Sequence, residues 1–178
     1  MPFNPHQQRA TYDEGTAVAA FNSAYQFLQM ARVKPLNYSS VVLGALASEI
    51  FIKSNYIFRI NKKPPNGHDL ENLFNKLSNE QQNDIRIILK IVNTDIDRLL
   101  PWHAKLFEMY RYRYELTSSF HQVYFNINFA EAVGAVTYVN YIRNLPKNSR
   151  YTFMLHGYNE ENKYTKSHFM HGIRAEVV

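Results

Sequence analysis

Apolar residues recur every three or four positions along most of the chain, which is the spacing of one buried helix face. In the first segment, for example, Ala17, Phe21 and Leu28 lie on one such face. The pattern predicts helical segments over residues 13–33, 40–60, 68–77, 79–100, 101–116 and 128–144. We therefore expect an all-α protein, a bundle of five to six helices.

Proline, glycine and short hydroxyl side chains mark where these segments begin and end. Pro35 ends the first segment, and the stretch NKKPPNG at 61–67 predicts a loop after the second. Ser78 is a candidate N-cap for the fourth, because its hydroxyl can accept a hydrogen bond from a free amide of the first turn. Proline is tolerated in a first helical turn, so Pro101 is expected to open the fifth segment. Pro146 follows the last one.

Residues 147–178 differ from the rest of the chain because no helical stripe continues into them. The segment YTFMLH at 151–156 alternates enough for a short strand, and YTKSHFMH could pair with it as a hairpin across GYNEENK. The same residues could equally form a mobile extension. The sequence thus predicts a helical domain over 1–146 and a C-terminal extension over 147–178.

Composition narrows the class of protein. The 178 residues include no cysteine, which excludes disulfides, thiol catalysis and thiolate zinc sites.

The N-terminus is polar, and the longest apolar stretch, 41–52, contains Glu49 and is shorter than the roughly 20 residues that span a bilayer. We expect a soluble, cytoplasmic protein with no membrane partner. The formal net charge of +5 favours an anionic partner without identifying one.

The segment WHAKLFEMYRYRYE at 102–115 carries the strongest local pattern. His103, Phe107 and Arg111 are four residues apart, so a helix would place them on one face. Arginine offers a planar fork of donors to phosphate oxygens, and histidine can move a proton near neutral pH. The alternative is a structural pair between Arg111 and Glu115 with aromatic packing around it.

Three segments resemble the HEPN family of RNA- and nucleotide-associated helical domains. They are ALASEIFIKS at 45–54, GHDLENLFNKL at 67–77 and FEMYRYRYE at 107–115, and their order and spacing both agree with the family. Together they cover roughly residues 39–115. The resemblance implies a bundle of four or more helices that usually forms a homodimer.

The resemblance also implies an activity, because many HEPN proteins are metal-independent ribonucleases. Their signature is an Arg followed after four to six residues by a His, and Arg98 and His103 have this spacing. Leu99 replaces the polar residue that commonly follows the Arg, and Pro101 interrupts the segment. In a cleaving protein, His103 would act as general acid or base.

The remaining roles follow from the same hypothesis. Arg111, with Arg98, would stabilise the negatively charged phosphorane. Tyr112 or Tyr114 would stack on a base. Candidate RNA- or nucleotide-binding residues also include Glu115, Glu49 and Lys53; the last two form either a half-buried pair or a polar cluster at a dimer interface.

Two histidine motifs have simpler interpretations. His68 and Asp69 precede the third segment, where polar side chains cap free amides and an acidic group complements the helix dipole. His168 and His171 have an H-x-x-H spacing, but no carboxylate motif accompanies them. We therefore expect no metal site, and since no glycine-rich phosphate loop occurs we also expect no cofactor.

Two functions therefore stay open from the sequence. One is an RNA-binding or RNA-cleaving HEPN-like protein of a toxin or defence system, with a nucleotidyltransferase-like antitoxin as a possible partner. The other is a non-catalytic dimeric helical scaffold that binds a nucleotide or a partner protein.

Overall fold

The computed structural model describes residues 12–32, 38–60, 62–104 and 127–144. Every regular element in these ranges is an α-helix, which confirms the all-α prediction. In chain order they are α1 (Glu14–Arg32), α2 (Tyr38–Ile60), α3 (Leu70–Phe74), α4 (Asn79–Ile91), α5 (Ile96–His103) and α6 (Ile127–Asn144).

Helix α2 lies at the centre of the bundle. It packs most extensively against α1 and also contacts α6 and α3, while α4 packs on α6 and α3 on α5. Aromatic rings fill the space between α1, α2 and α6: the ring centroid of Phe21 lies 5.1 Å from that of Phe51 and 5.5 Å from that of Tyr141. Burying these large side chains is the main source of stability for such a bundle.

Helices α2 and α6 approach closely at Gly134. A Cβ atom built on this glycine would lie 2.9 Å from a ring carbon of Phe51, which is fully buried. Glycine is therefore required here for close approach of the backbone to the neighbouring ring, not for an unusual backbone angle.

Polar groups also join the three central helices. The hydroxyl oxygens of Ser54 and Tyr141 lie 3.0 Å and 3.2 Å from the Ala17 carbonyl oxygen, which can accept a hydrogen bond from either of them. Ser54 and Tyr141 also hydrogen-bond to each other. Burial raises the pKa of the Tyr141 hydroxyl well above its ordinary range, because the charged form would lose its hydration.

The predicted helices at 79–100 and 101–116 had the wrong boundaries. Helix α4 ends at Ile91, and Asn93 adopts a left-handed conformation with φ 54°, which asparagine tolerates better than most residues. Asp95 then caps a new helix by accepting a hydrogen bond from the Asp97 amide at 3.0 Å.

Pro101 consequently lies inside α5 and does not open a helix. Its ring removes the amide that would bond to the carbonyl four residues earlier, at Asp97, which is exposed to solvent. Helix α3 is also shorter than predicted, because the chain leaves it in tight turns at Lys76 and Leu77. The predicted hairpin or extension at 147–178 lies outside the described residues.

Helix α2 is long and apolar enough, over Ser39–Ile60, to cross a membrane by length and composition. The apolar stretch at 41–52 is only the central part of this helix. However, 61% of the Ser39–Ile60 stretch is buried inside the bundle. That burial is consistent with the core helix of a soluble protein.

Candidate functional site

The candidate site begins with a buried carboxylate on α2. Glu49 is only 4% exposed, although charged residues are rarely buried without a partner. Lys53 lies one helical turn later, and its Nζ donates to Glu49 Oε1 at 2.6 Å. The spacing of four residues, which places both side chains on one helix face, is the reason why they meet.

The loop before α3 returns to this pair. Lys53 Nζ also donates to the Gly67 carbonyl at 2.8 Å, and His68 Nδ1 lies 2.9 Å from Glu49 Oε2. Gly67 has φ 96°, a left-handed conformation that favours glycine. Gly67 therefore allows the chain to turn, and His68 bonds to the carboxylate of Glu49.

Asp69 caps α3, as the sequence predicted, by accepting a hydrogen bond from the Asn72 amide at 2.9 Å. The same prediction was wrong for His68, whose Nδ1 bonds to Glu49 instead of to a helix amide. The Leu70 amide donates to the Ala104 carbonyl at 3.3 Å. This bond brings the end of α5 to the start of α3.

The chemistry of the Glu49–Lys53–His68 cluster follows from its donors and acceptors. An ionised carboxylate only accepts hydrogen bonds, so Nδ1 of His68 must be the donor. Neutral His68 then carries its lone pair on Nε2, and its side chain is 40% exposed. A carboxylate that fixes an imidazole in this way can orient it toward a polar ligand or a proton.

Arg98 and His103, the predicted catalytic pair, do not lie on the same side of α5. His103 is 1% exposed, and its ring centroid lies 5.9 Å from that of Phe129. Arg98 is exposed on α5. Five residues of helix separate the two by about 140° around the axis. The structure therefore places Arg98 toward solvent and His103 in the core.

The other predicted site residues divide into two groups. Glu49 and Lys53 form the half-buried intramolecular pair that was one of their two predicted arrangements. The remaining four lie outside the described residues: Arg111, Tyr112, Tyr114 and Glu115.

A second polar network was missed by the sequence interpretation. Buried Asn55 accepts hydrogen bonds at Oδ1 from Gln81 Nε2 at 3.1 Å and from Asn140 Nδ2 at 2.7 Å. Gln81 also completes a capping box with Ser78. The sequence S-x-x-Q was the available signal, whereas an asparagine on an apolar helix face gives no indication of its partners.

Two concave surfaces adjoin this network. A cleft of about 940 Å³ lies between the start of α1, the end of α2, the start of α4 and the end of α6. Its charged lining is mainly acidic, with Asp13, Glu14, Glu80 and Asp84 against Arg59 and Arg143. A smaller pocket of about 70 Å³ also has Arg59 in its lining, together with Tyr56, Pro65 and Lys76 among others.

In the ranges that the structure describes, no three histidine or acidic side chains are grouped as metal ligands. No protein-family model, curated protein or solved structure matches this chain.

Proposed function

We propose that this chain is an HEPN-like helical protein that binds RNA, as a cytoplasmic component of a toxin or defence system. The observation that carries the proposal is the contact between two of the three resembling segments. Glu49 and Lys53 come from the first segment, and both bond to Gly67 or His68 of the second. Their surroundings are an all-α bundle, the fold class that the resemblance implies.

This contact supports the proposal because the residues that resemble the family also bond to one another in the structure. His68 and Glu49 are 19 residues apart, and Gly67 is 14 residues from Lys53. A chance match of residue types does not require these residues to touch. Here they hold the loop between α2 and α3 against a buried carboxylate.

Binding is better supported than cleavage. A general acid or base must come within about 2.6–3.2 Å of the proton that it moves. The burial of His103 against Phe129 keeps it from a substrate in this conformation, and Arg98 is directed to a different side of α5. The net charge of +5 suits a polyanionic partner.

The second candidate is a non-catalytic dimeric scaffold that binds a nucleotide or a partner protein, such as a nucleotidyltransferase-like antitoxin. The burial of His103 favours this candidate as much as it favours RNA binding without cleavage. Both candidates include a homodimer, so light scattering that gives a monomer mass at micromolar concentrations would contradict that part of the proposal.

One experiment distinguishes RNA binding without cleavage, RNA cleavage and the non-catalytic scaffold. The full chain is incubated with fluorescent single-stranded RNA in a chelator, and anisotropy and RNA length are measured on the same sample. Binding with intact RNA is the expected result. Cleavage that survives the chelator and disappears in His103→Ala would support a ribonuclease instead. Failure to bind would leave the scaffold as the preferred function.

A further inference from the structure

The small pocket beside the α2–α3 loop combines a mostly apolar lining with two cationic side chains. Arg59 and Lys76 both line it, and among the described residues no carboxylate does. The pocket volume of about 70 Å³ is enough for a few water molecules or for one small anionic group. Tyr56 adds a phenol ring to the same lining.

Further positive charge lies next to this pocket. Ile60 and Pro65 both line the pocket, and the exposed residues Lys62 and Lys63 lie between them in the sequence. Within the described ranges, no ion pair joins Arg59, Lys76 or either loop lysine to an acidic side chain. Among the described residues, these four cations therefore lack ion-pair partners of the kind that Lys53 and Arg32 have.

Two buried polar residues of the pocket lining, Asn55 and Gln81, link Arg59 to the bundle. Its Nη1 donates to Gln81 Oε1 at 3.4 Å, and Gln81 is itself held by Asn55 and by the Ser78 amide. Asn55 and Gln81 are both buried. An arginine that is held by a buried amide keeps the rest of its guanidinium fork for a ligand at a smaller cost in side-chain entropy.

We propose that this pocket binds a phosphate group of RNA, with Arg59 and Lys76 as the direct contacts. Arg59 supplies planar paired donors, and Lys76 supplies a point charge. Lys62 and Lys63 then follow the neighbouring phosphates, and Tyr56 lies where an adjacent base can stack. This inference rests on the proposed RNA-binding function and gives that function a binding surface separate from the Glu49–Lys53–His68 cluster.

The test compares two double variants of the full chain that remove the same charge. Arg59→Gln/Lys76→Gln removes the pocket cations, whereas Lys90→Gln/Arg143→Gln removes an exposed lysine and arginine outside the pocket. RNA affinity is measured by anisotropy at several salt concentrations, and thermal unfolding verifies that both variants fold. The pocket variant should bind RNA roughly tenfold or more weakly than wild type. Its log–log salt slope should become shallower by about 0.7 for each phosphate that the variant no longer neutralises.

The control variant should change RNA binding much less. Equal reductions in affinity for the two variants, or an unaffected pocket variant, would overturn the site while leaving RNA binding itself intact. If wild type binds no RNA, the proposed function fails and inorganic phosphate becomes the deciding probe. Thermal stabilisation by phosphate that disappears only in the pocket variant would retain the anion site, whereas its absence in wild type would reject it.

Discussion

His68 Nδ1 lies 2.9 Å from Glu49 Oε2 and joins the start of α3 to a carboxylate buried in α2. The same carboxylate accepts a hydrogen bond from Lys53, which also holds the Gly67 carbonyl. Glu49 thereby holds His68 directly, and it holds Gly67 indirectly through Lys53. The resemblance of the sequence to HEPN domains rests partly on these residues, so their energetics can be tested before any activity is known.

We predict that Glu49→Ala lowers the free energy of unfolding more than His68→Ala does. Removing Glu49 leaves two donors without their buried acceptor, at a cost of about 1–3 kcal/mol. Removing His68 breaks the hydrogen bond between a partly exposed side chain and Glu49, at a cost of about 0.5–1.5 kcal/mol. Urea unfolding of the single and double variants measures both values and their coupling. Additive effects would show that the two residues do not interact.

We predict that Asp69 stabilises the protein by capping α3, a role that His68 does not share. Asp69→Ala removes the acceptor for the Asn72 amide and should cost about 0.5–2 kcal/mol, whereas Asp69→Asn keeps an acceptor and should cost less. Thermal unfolding of both variants gives the comparison. If Asp69→Asn destabilises the protein as much as Asp69→Ala does, the hydrogen-bond acceptor at this position is not what stabilises the start of α3, and the capping role would be contradicted.

The pair formed by Arg32 and Glu131 should give the stability a defined pH dependence. Arg32 Nη2 lies 2.6 Å from Glu131 Oε1. Burial nevertheless raises the pKa of Glu131 above its ordinary value of 4.5, because desolvation of the carboxylate outweighs the attraction of Arg32. The folded protein therefore holds this proton more tightly than the unfolded chain, and the associated stability is lost as pH rises through the folded pKa.

Glu131→Gln removes this titration. The free energy of unfolding of wild type, relative to that of Glu131→Gln, should therefore fall as the pH rises above 4.5, the ordinary pKa of a glutamate. Denaturant unfolding of both proteins across this range provides the measurement. A relative stability that rises with pH would show that the ion pair outweighs desolvation, contrary to the pKa direction given above.

The sequence was most informative where one long apolar stripe defines a helix. Helices α1, α2 and α6 lie within two residues of their predicted bounds, since Pro35, the 61–67 loop and Pro146 interrupt the pattern clearly. The division between α4 and α5 was missed because Val92 and Ile96 continue the stripe across a turn. Only the left-handed backbone at Asn93 and the cap at Asp95 separate the two helices.

The candidate site was predictable to a smaller extent. The spacing of Glu49 and Lys53 predicts their contact directly, because helix neighbours are set by local geometry. The partner of His68 depends on how the loop returns to α2, and the burial of His103 depends on packing against α6, which is distant in sequence. Neither contact has a local signal in the sequence.

The salt dependence of RNA affinity tests the central claim, RNA binding, most directly. The full chain should bind single-stranded RNA more tightly than about 10⁻⁴ M at physiological salt. The logarithm of the affinity should fall linearly with the logarithm of salt concentration, because each bound phosphate releases counterions. Binding weaker than that limit, or an affinity that does not respond to salt, would contradict RNA as the partner of this helical bundle.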